Sequence, residues 1–384
     1  MWVRIPDRET SIGPNRAERI VVAMKIVVAG TRGIPDIQGG VETHCEELYP
    51  RLAAMGHDVT VVRRSCYVTP QNKITTYKGV RLEDIYAPRK KSIEAIVHTF
   101  LAILYARRVH ADVLHIHAIG PSLLVPFARL LGLKVVMTHH GPDYDRQKWN
   151  RVAKAVLRLG ERMGAKYANE VIVISTVIDN ILREKYHRCN AHLIYNGVNT
   201  PAIATTTDYI GSLGLEPHKY VLAVGRFVEE KGFDLLIRAF DQIPHEGYKL
   251  VIAGDADHED HYSTTLKQLA RERGVVLTGF IRGARLNELF SHARLFVLPS
   301  FHEGLPIVLL EALSYHLPVL VSDIPANRLS CLSADDFFAT GDIRSLAEAL
   351  ARKLAQNDTR CQYDLTPYNW DYIATQVDAV YHRL

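Results

Sequence analysis

The chain has 384 residues, 47% of them hydrophobic and 23% charged, with a formal net charge of +4. That length exceeds what one hydrophobic core usually supports, and the composition is that of a globular protein, so two domains are expected and a disordered or fibrous chain is excluded. The five cysteines form no CxxC pair, so neither a disulfide framework nor a thiolate zinc site is implied, and no apolar run reaches the roughly 18 residues of a spanning helix.

Residues 1–23 are polar and lack the apolar centre of a secretory signal. They predict a disordered extension, with the folded unit starting at Met24. Lys25 to Gly30 reads as a buried strand and is followed by the glycine-rich loop TRGIPDIQGG. Val41, Cys45, Leu48, Leu52 and Met55 then share one helical face. Pro50 predicts a kink in that helix. HDVTVV is the next strand. Tyr86 to Arg108 predicts an apolar helix flanked by Arg89, Lys90 and Lys91 on one side and Arg107 and Arg108 on the other. Such a helix packs on a sheet or meets an anionic membrane surface. ADVLHIH, KVVMTHH, EVIVIS and AHLIYNGV are further strands, separated by helices over 121–132, 154–168 and 177–186. His115 and His117 alternate along a strand and so point the same way. A metal would need a third ligand, which the sequence does not reveal, so no metal site is expected.

Residues 200–216 break the alternation with a linker composition. The alternation then restarts with strands KYVLAVG, YKLVIAG, VVLTGF, RLFVLPS and LPVLVS, and with helices over 231–243, 286–292, 306–315 and 345–355. The tail PYNWDYIATQVDAVYHRL is an amphipathic helix. Alternating strands and helices imply parallel sheets covered on both faces. The α/β chain is thus divided into an N-terminal unit over 24–200, a C-terminal unit over 201–365 and a helix over 366–384 that packs back towards the first unit. In such doubly wound units ligands bind beyond the carboxyl ends of the strands.

Two constellations sit at those ends. Glu303, Gly304, Leu305 and Pro306 follow a strand, Pro306 suits the first turn of a helix, and Glu311 lies further along it. The amides from Gly304 to Ile307 would form an anion site, and Glu311 could accept vicinal hydroxyls such as those of a ribose. Arg226 and Lys231, in GRFVEEKG, could converge on a diphosphate, one as a fork and one as a point charge. A capped helix with a surface glutamate, and a solvated basic turn, remain open readings of each constellation alone.

Together, in this order, the two motifs resemble those of retaining glycosyltransferases of family four, which have the GT-B fold of two Rossmann-like domains facing across a cleft. The loop GTRGIPDIQGGVETHCEEL is similar to the form found in bacterial transferases that build surface polysaccharides. The resemblance implies transfer of a sugar, with retention, from a nucleotide-sugar donor to a glycan or polyprenyl-linked acceptor. It implies catalytic roles for His140, Glu303, Arg226 and Lys231. It implies donor binding by Gly39, Gly40, Gly254, Ile281, Gly304, Leu305, Pro306, Ile307 and Glu311 as well as by Arg226, Lys231 and Glu303. His117, Asp143 and Tyr144 are expected on the acceptor side, with Asp145, Arg146 and Lys148 in the same polar loop. No bound metal or cofactor and no nucleic acid is expected, and the expected location is the cytoplasm, at the inner face of the plasma membrane. A nucleotide-sugar epimerase of the same architecture is the competing reading.

Overall fold

The computed structural model describes residues 23–89, 93–145, 150–245, 247–256, 259–356 and 360–384. The expected disordered extension (but for residue 23), Lys90, Lys91, Arg146 and Lys148 lie outside the described residues.

In the first half β1 (Lys25–Ala29) leads to α1 (Gly40–Ala54), β2 (Asp58–Arg64), β3 (Thr76–Tyr77), β4 (Val80–Ile85) and α2 (Glu94–Arg108). β5 (Val113–His117), α3 (Val125–Leu130), β6 (Val135–His139), α4 (Arg151–Tyr167), β7 (Glu170–Val173), α5 (Thr176–Tyr186) and β8 (His192–Leu193) complete it. The strands form one sheet in the order β3-β4-β2-β1-β5-β6-β7-β8, parallel except for β3 against β4. The central strands are short apolar runs because both faces are covered, and Ile26 to Ala29 are fully buried. Pro50 lies inside α1, whose helical run continues to Ala54. The helix expected over 121–132 is instead a 3-10 turn, Pro121–Leu124, followed by α3.

α6 (Asp208–Ser212) falls in the segment read as a linker, where the Ile210 amide donates to Glu288 at 2.9 Å. The second half then runs β9 (Tyr220–Val224), α7 (Phe233–Phe240), β10 (Lys249–Ala253), α8 (His261–Glu272), β11 (Val276–Leu277) and α9 (Gly283–His292). It continues with β12 (Leu295–Leu298), α10 (Ile307–Ser314), β13 (Val319–Ser322), β14 (Phe337–Phe338) and α11 (Ile343–Ala355). This sheet is parallel throughout, in the order β11-β10-β9-β12-β13-β14. The β3–β4 hairpin and α8 are not apparent from the sequence pattern. α8 is set by an Asp260–Ser263 capping box and has only Ser263, Leu266 and Ala270 buried.

The chain then returns. α12 (Trp370–Tyr381) packs on α1 of the first half, with Asp371 accepting from Arg51 at 2.7 Å and Asp378 paired with His57 at 2.8 Å. Where it crosses, it runs beside the outgoing segment: Val198 donates to the Tyr368 carbonyl at 2.7 Å and bridges in parallel to Asn369. The carboxyl ends of both sheets consequently face one cleft of about 1010 Å³.

Candidate active site

On the C-terminal wall, Arg226 follows β9 and Lys231 ends a 3-10 turn, Glu229–Lys231. Gly232 follows with φ 62°, and a Cβ there would lie 2.5 Å from the Pro299 carbonyl, so only glycine fits. The turn aims Lys231 Nζ at Glu303 Oε1, 2.6 Å away, beyond the end of β12. Burial pushes the Glu303 carboxyl up, but the Lys231 charge and hydrogen bonds hold it below its ordinary range. Pro306 occupies the N-cap position of α10 with no side chain capping it, and Ile307 and Val308 line the cleft. That helix end is suited to an anion. Glu311, further along α10, is pushed up to about 7 by burial and by the nearby Glu47 carboxylate, against the opposing charge of Arg282.

On the N-terminal wall, the first loop is organised by Glu42. Its carboxylate accepts from Thr31 Oγ1 at 3.2 Å and from the Arg32 amide at 3.0 Å. Burial acts to raise this carboxyl, and the charges of Arg32 and, from the opposite wall, Arg226 keep it lowered. Gly39 has φ 151°, and a Cβ there would approach Glu42 Oε2 to 2.1 Å. Gly40 has open space around it. The walls meet where Gly304 lies on the His140 carbonyl, 2.1 Å from where its Cβ would be. Arg282 closes a second contact, with Asp36 and Glu46 each at 2.7 Å.

β6 delivers its two terminal histidines to different places. His139 is fully buried and bonds Glu161 at 2.8 Å. His140 lines the cleft, with Nε2 2.8 Å from His117 Nδ1. His115 and His117 do point the same way, and their rings stack at 4.4 Å. A third imidazole, His44 from α1, joins them: its Nδ1 meets Asn196 Oδ1 at 2.9 Å, and its ring is 4.9 Å from that of His140. Burial lowers His44 to about 4 and His117 and His140 well below the ordinary histidine range.

The cleft thus gathers His140, Glu303, Arg226, Lys231, Gly39, Gly40, Gly254, Ile281, Gly304, Leu305, Pro306, Ile307, Glu311 and Asp143. Two expected acceptor residues do not reach it. His117 is fully buried behind His140, held by Tyr49 on its far side. Tyr144 is 3% exposed because its hydroxyl turns inward to Glu161, at 3.2 Å. Conversely, Arg32, Glu42, Arg64, Tyr67 and Glu94 line the N-terminal wall unannounced. Arg32 and Glu42 fell inside the first-loop motif and Glu94 inside the helix expected over Tyr86 to Arg108, but nothing in the sequence marked them as wall residues.

Comparison with known proteins gives a consistent outcome. The family Glycosyltransferase Family 4 matches residues 38–201, and Glycosyl transferases group 1 matches residues 206–365. An uncharacterized glycosyltransferase of Methanocaldococcus jannaschii is 26% identical over 93% of this chain and 98% of its own length. The sucrose-phosphate synthase structure from Thermosynechococcus elongatus superposes with a TM-score of 0.80 at 22% identity, covering 94% of this chain and 98% of that one. An Anabaena protein solved in complex with UDP-glucose superposes with a TM-score of 0.76 at 18% identity, covering 94% of this chain and all of the other. These two structures share the fold.

Proposed function

The chain belongs to glycosyltransferase family four and has the GT-B fold, and from that premise we propose that it moves a glycosyl unit, with retention, from a nucleotide-diphosphate sugar to a glycan or lipid-linked acceptor in bacterial surface-polysaccharide assembly. One observation carries the reading: Arg226, Lys231, Glu303 and the start of α10 line the same cleft as His140. Two cations and a helix end on one wall suit a departing diphosphate, whose developing charge they would neutralise without reorganisation. Lys231 is held by Glu303 in the free protein, so the ammonium is already positioned when a donor arrives.

In this reading the C-terminal wall holds the donor. Glu311 takes the ribose hydroxyls, Gly254 and Ile281 border the base, and Gly39 and Gly40 let the opposite backbone approach the phosphates. His140 hydrogen-bonds the donor sugar, with Glu303 beside it. The acceptor hydroxyl enters from the N-terminal wall, past Asp143 and the Arg32–Arg64–Tyr67 side, and attacks the anomeric carbon on the face from which the diphosphate leaves. No bound cofactor is needed. The relative and the solved structure named as transferase and synthase support transfer, and nothing in them favours an epimerase.

We place the reaction in the cytoplasm, at the inner face of the plasma membrane. No helix among the described residues is long and apolar enough to cross a membrane. Phe100, Leu104, Leu130 and Val152 are exposed on helices that also present Arg107, Arg108, Arg129 and Arg158, a combination that suits anionic lipid.

Calorimetric titration with UDP-, GDP- and dTDP-sugars, followed by product analysis with candidate acceptors, tests the proposal. Glu303→Ala should abolish transfer and leave the circular dichroism spectrum unchanged. Full activity in that variant removes Glu303 from the mechanism, and conversion of a donor without acceptor would install the epimerase.

A further inference from the structure

We infer that His44, His117 and His140 form a binding site for one divalent transition-metal ion, open to the cleft. Sequence spacing supplied two strand histidines and no third ligand. Folding exchanges one member: both ring nitrogens of His115 are occupied, by Tyr381 at 2.6 Å and Thr138 at 2.7 Å, while α1 brings in His44. One ring nitrogen of each of His44, His117 and His140 lies within 4.8 Å of the others.

The surrounding hydrogen bonds orient these lone pairs. Asn196 Nδ2 donates to the Leu305 carbonyl at 2.8 Å, so Asn196 Oδ1 is the atom facing His44 and can only accept. His44 therefore carries its proton on Nδ1, and its Nε2 is a bare lone pair. That atom is buried and has no hydrogen-bond partner. His117 is held from behind in the same manner, Nε2 against the Tyr49 hydroxyl. An oxygen on the far nitrogen of His44 and of His117 is the outer support that metal-binding histidines generally have.

A hydrogen-bond network alone accounts for His117 and His140, whose nitrogens share one proton across 2.8 Å. It leaves His44 Nε2 idle, whereas an ion would use all three. Metal–nitrogen bonds of about 2.0–2.1 Å place tetrahedral ligands roughly 3.3 Å apart, a spacing that small ring rotations supply. The proton between His117 and His140 moves to the far nitrogen of the ring that owns it, which is Nε2 of His117 towards Tyr49 or Nδ1 of His140. All three imidazoles stay neutral and no net proton is released. Three imidazoles select zinc, nickel, cobalt or copper over magnesium or calcium, which require oxygen ligands. Of these three histidines His140 lines the cleft, so the ion's fourth position would open on that side, and a bound ion and a donor sugar would exclude one another.

The test titrates the chelator-treated full chain, without donor or acceptor, with Co²⁺ followed by visible absorption and with Zn²⁺ followed by calorimetry. Because no sugar is present, its outcome is independent of the transferase reading. One ion per chain with a tetrahedral cobalt spectrum is expected, with no heat from Mg²⁺. His44→Leu should abolish binding, Tyr49→Phe should weaken it about 10- to 100-fold, and a surface change, His110→Gln, should leave it as it was. Absence of binding overturns the assignment, as does unchanged affinity in Tyr49→Phe, which retains the packing and decides the matter should His44→Leu fail to fold.

Discussion

Glu311→Gln should make the protein more stable and a poorer binder of donor. The carboxyl of Glu311 is moved from an ordinary 4.5 to about 7 by burial and by Glu47, so between those values the folded chain holds a proton that the unfolded chain has released. Folding stability contributed by this group is therefore intact below about pH 4.5 and declines as pH rises to about 7. At about 1.4 kcal/mol per tenfold change in proton affinity, the ceiling on that loss is about 3 kcal/mol. Glutamine cannot ionise, so Glu311→Gln should melt like the parent at pH 4 and several degrees higher at pH 8. Donor binding runs the other way. Two ribose hydroxyls donate to an ionised carboxylate, so affinity in the parent should fall as pH drops below about 7, and the variant should bind weakly at every pH. Thermal melts across pH 4–8 and calorimetry with the preferred donor read both effects. A melting difference that does not vary with pH would refute the reasoning.

Further outcomes follow from other contacts. Lys231→Met removes the cation 2.6 Å from Glu303; transfer should fall about 100-fold or more, read by steady-state kinetics, while burial, no longer opposed by Lys231, moves the Glu303 carboxyl upward. Gly304→Ala puts a methyl 2.1 Å from the His140 carbonyl and should wedge the walls apart, lowering kcat by about 100-fold and enlarging the particle in small-angle scattering. Trp370→Ala empties a site only 2% exposed against Gly197 and His44 and should cost about 3–5 kcal/mol, seen in denaturant unfolding.

Alternation of strand and helix was sufficient to read both sheets except β3, β4 and β14, since fully covered parallel strands must be short apolar runs. Motifs located Arg226, Lys231, Glu303 and Glu311 because each follows a recognisable strand. What escaped detection shares a cause. His44 lies on the helix carrying the apolar positions Cys45, Leu48 and Leu52, and its approach to His140 depends on how that helix is rotated against β5 and β6, which local pattern does not encode. Tyr144 read as a polar-loop residue, but its ring is large enough to bury and its hydroxyl finds Glu161 inside. β3 is a two-residue edge, β4 turns Val80 and Leu82 inward around an exposed Arg81 over too short a run to stand out, and α8 shows the core only Ser263, Leu266 and Ala270.

The chain passes between its two halves twice, and the passages touch at Val198 and Tyr368. A lone tether would let one half swivel freely on the other. Two tethers bound side by side act as a flat strap, which folds readily about one line and resists torsion. Any relative motion of the halves would then be a jaw-like swing, one that parts Gly304 from the His140 carbonyl and rejoins them.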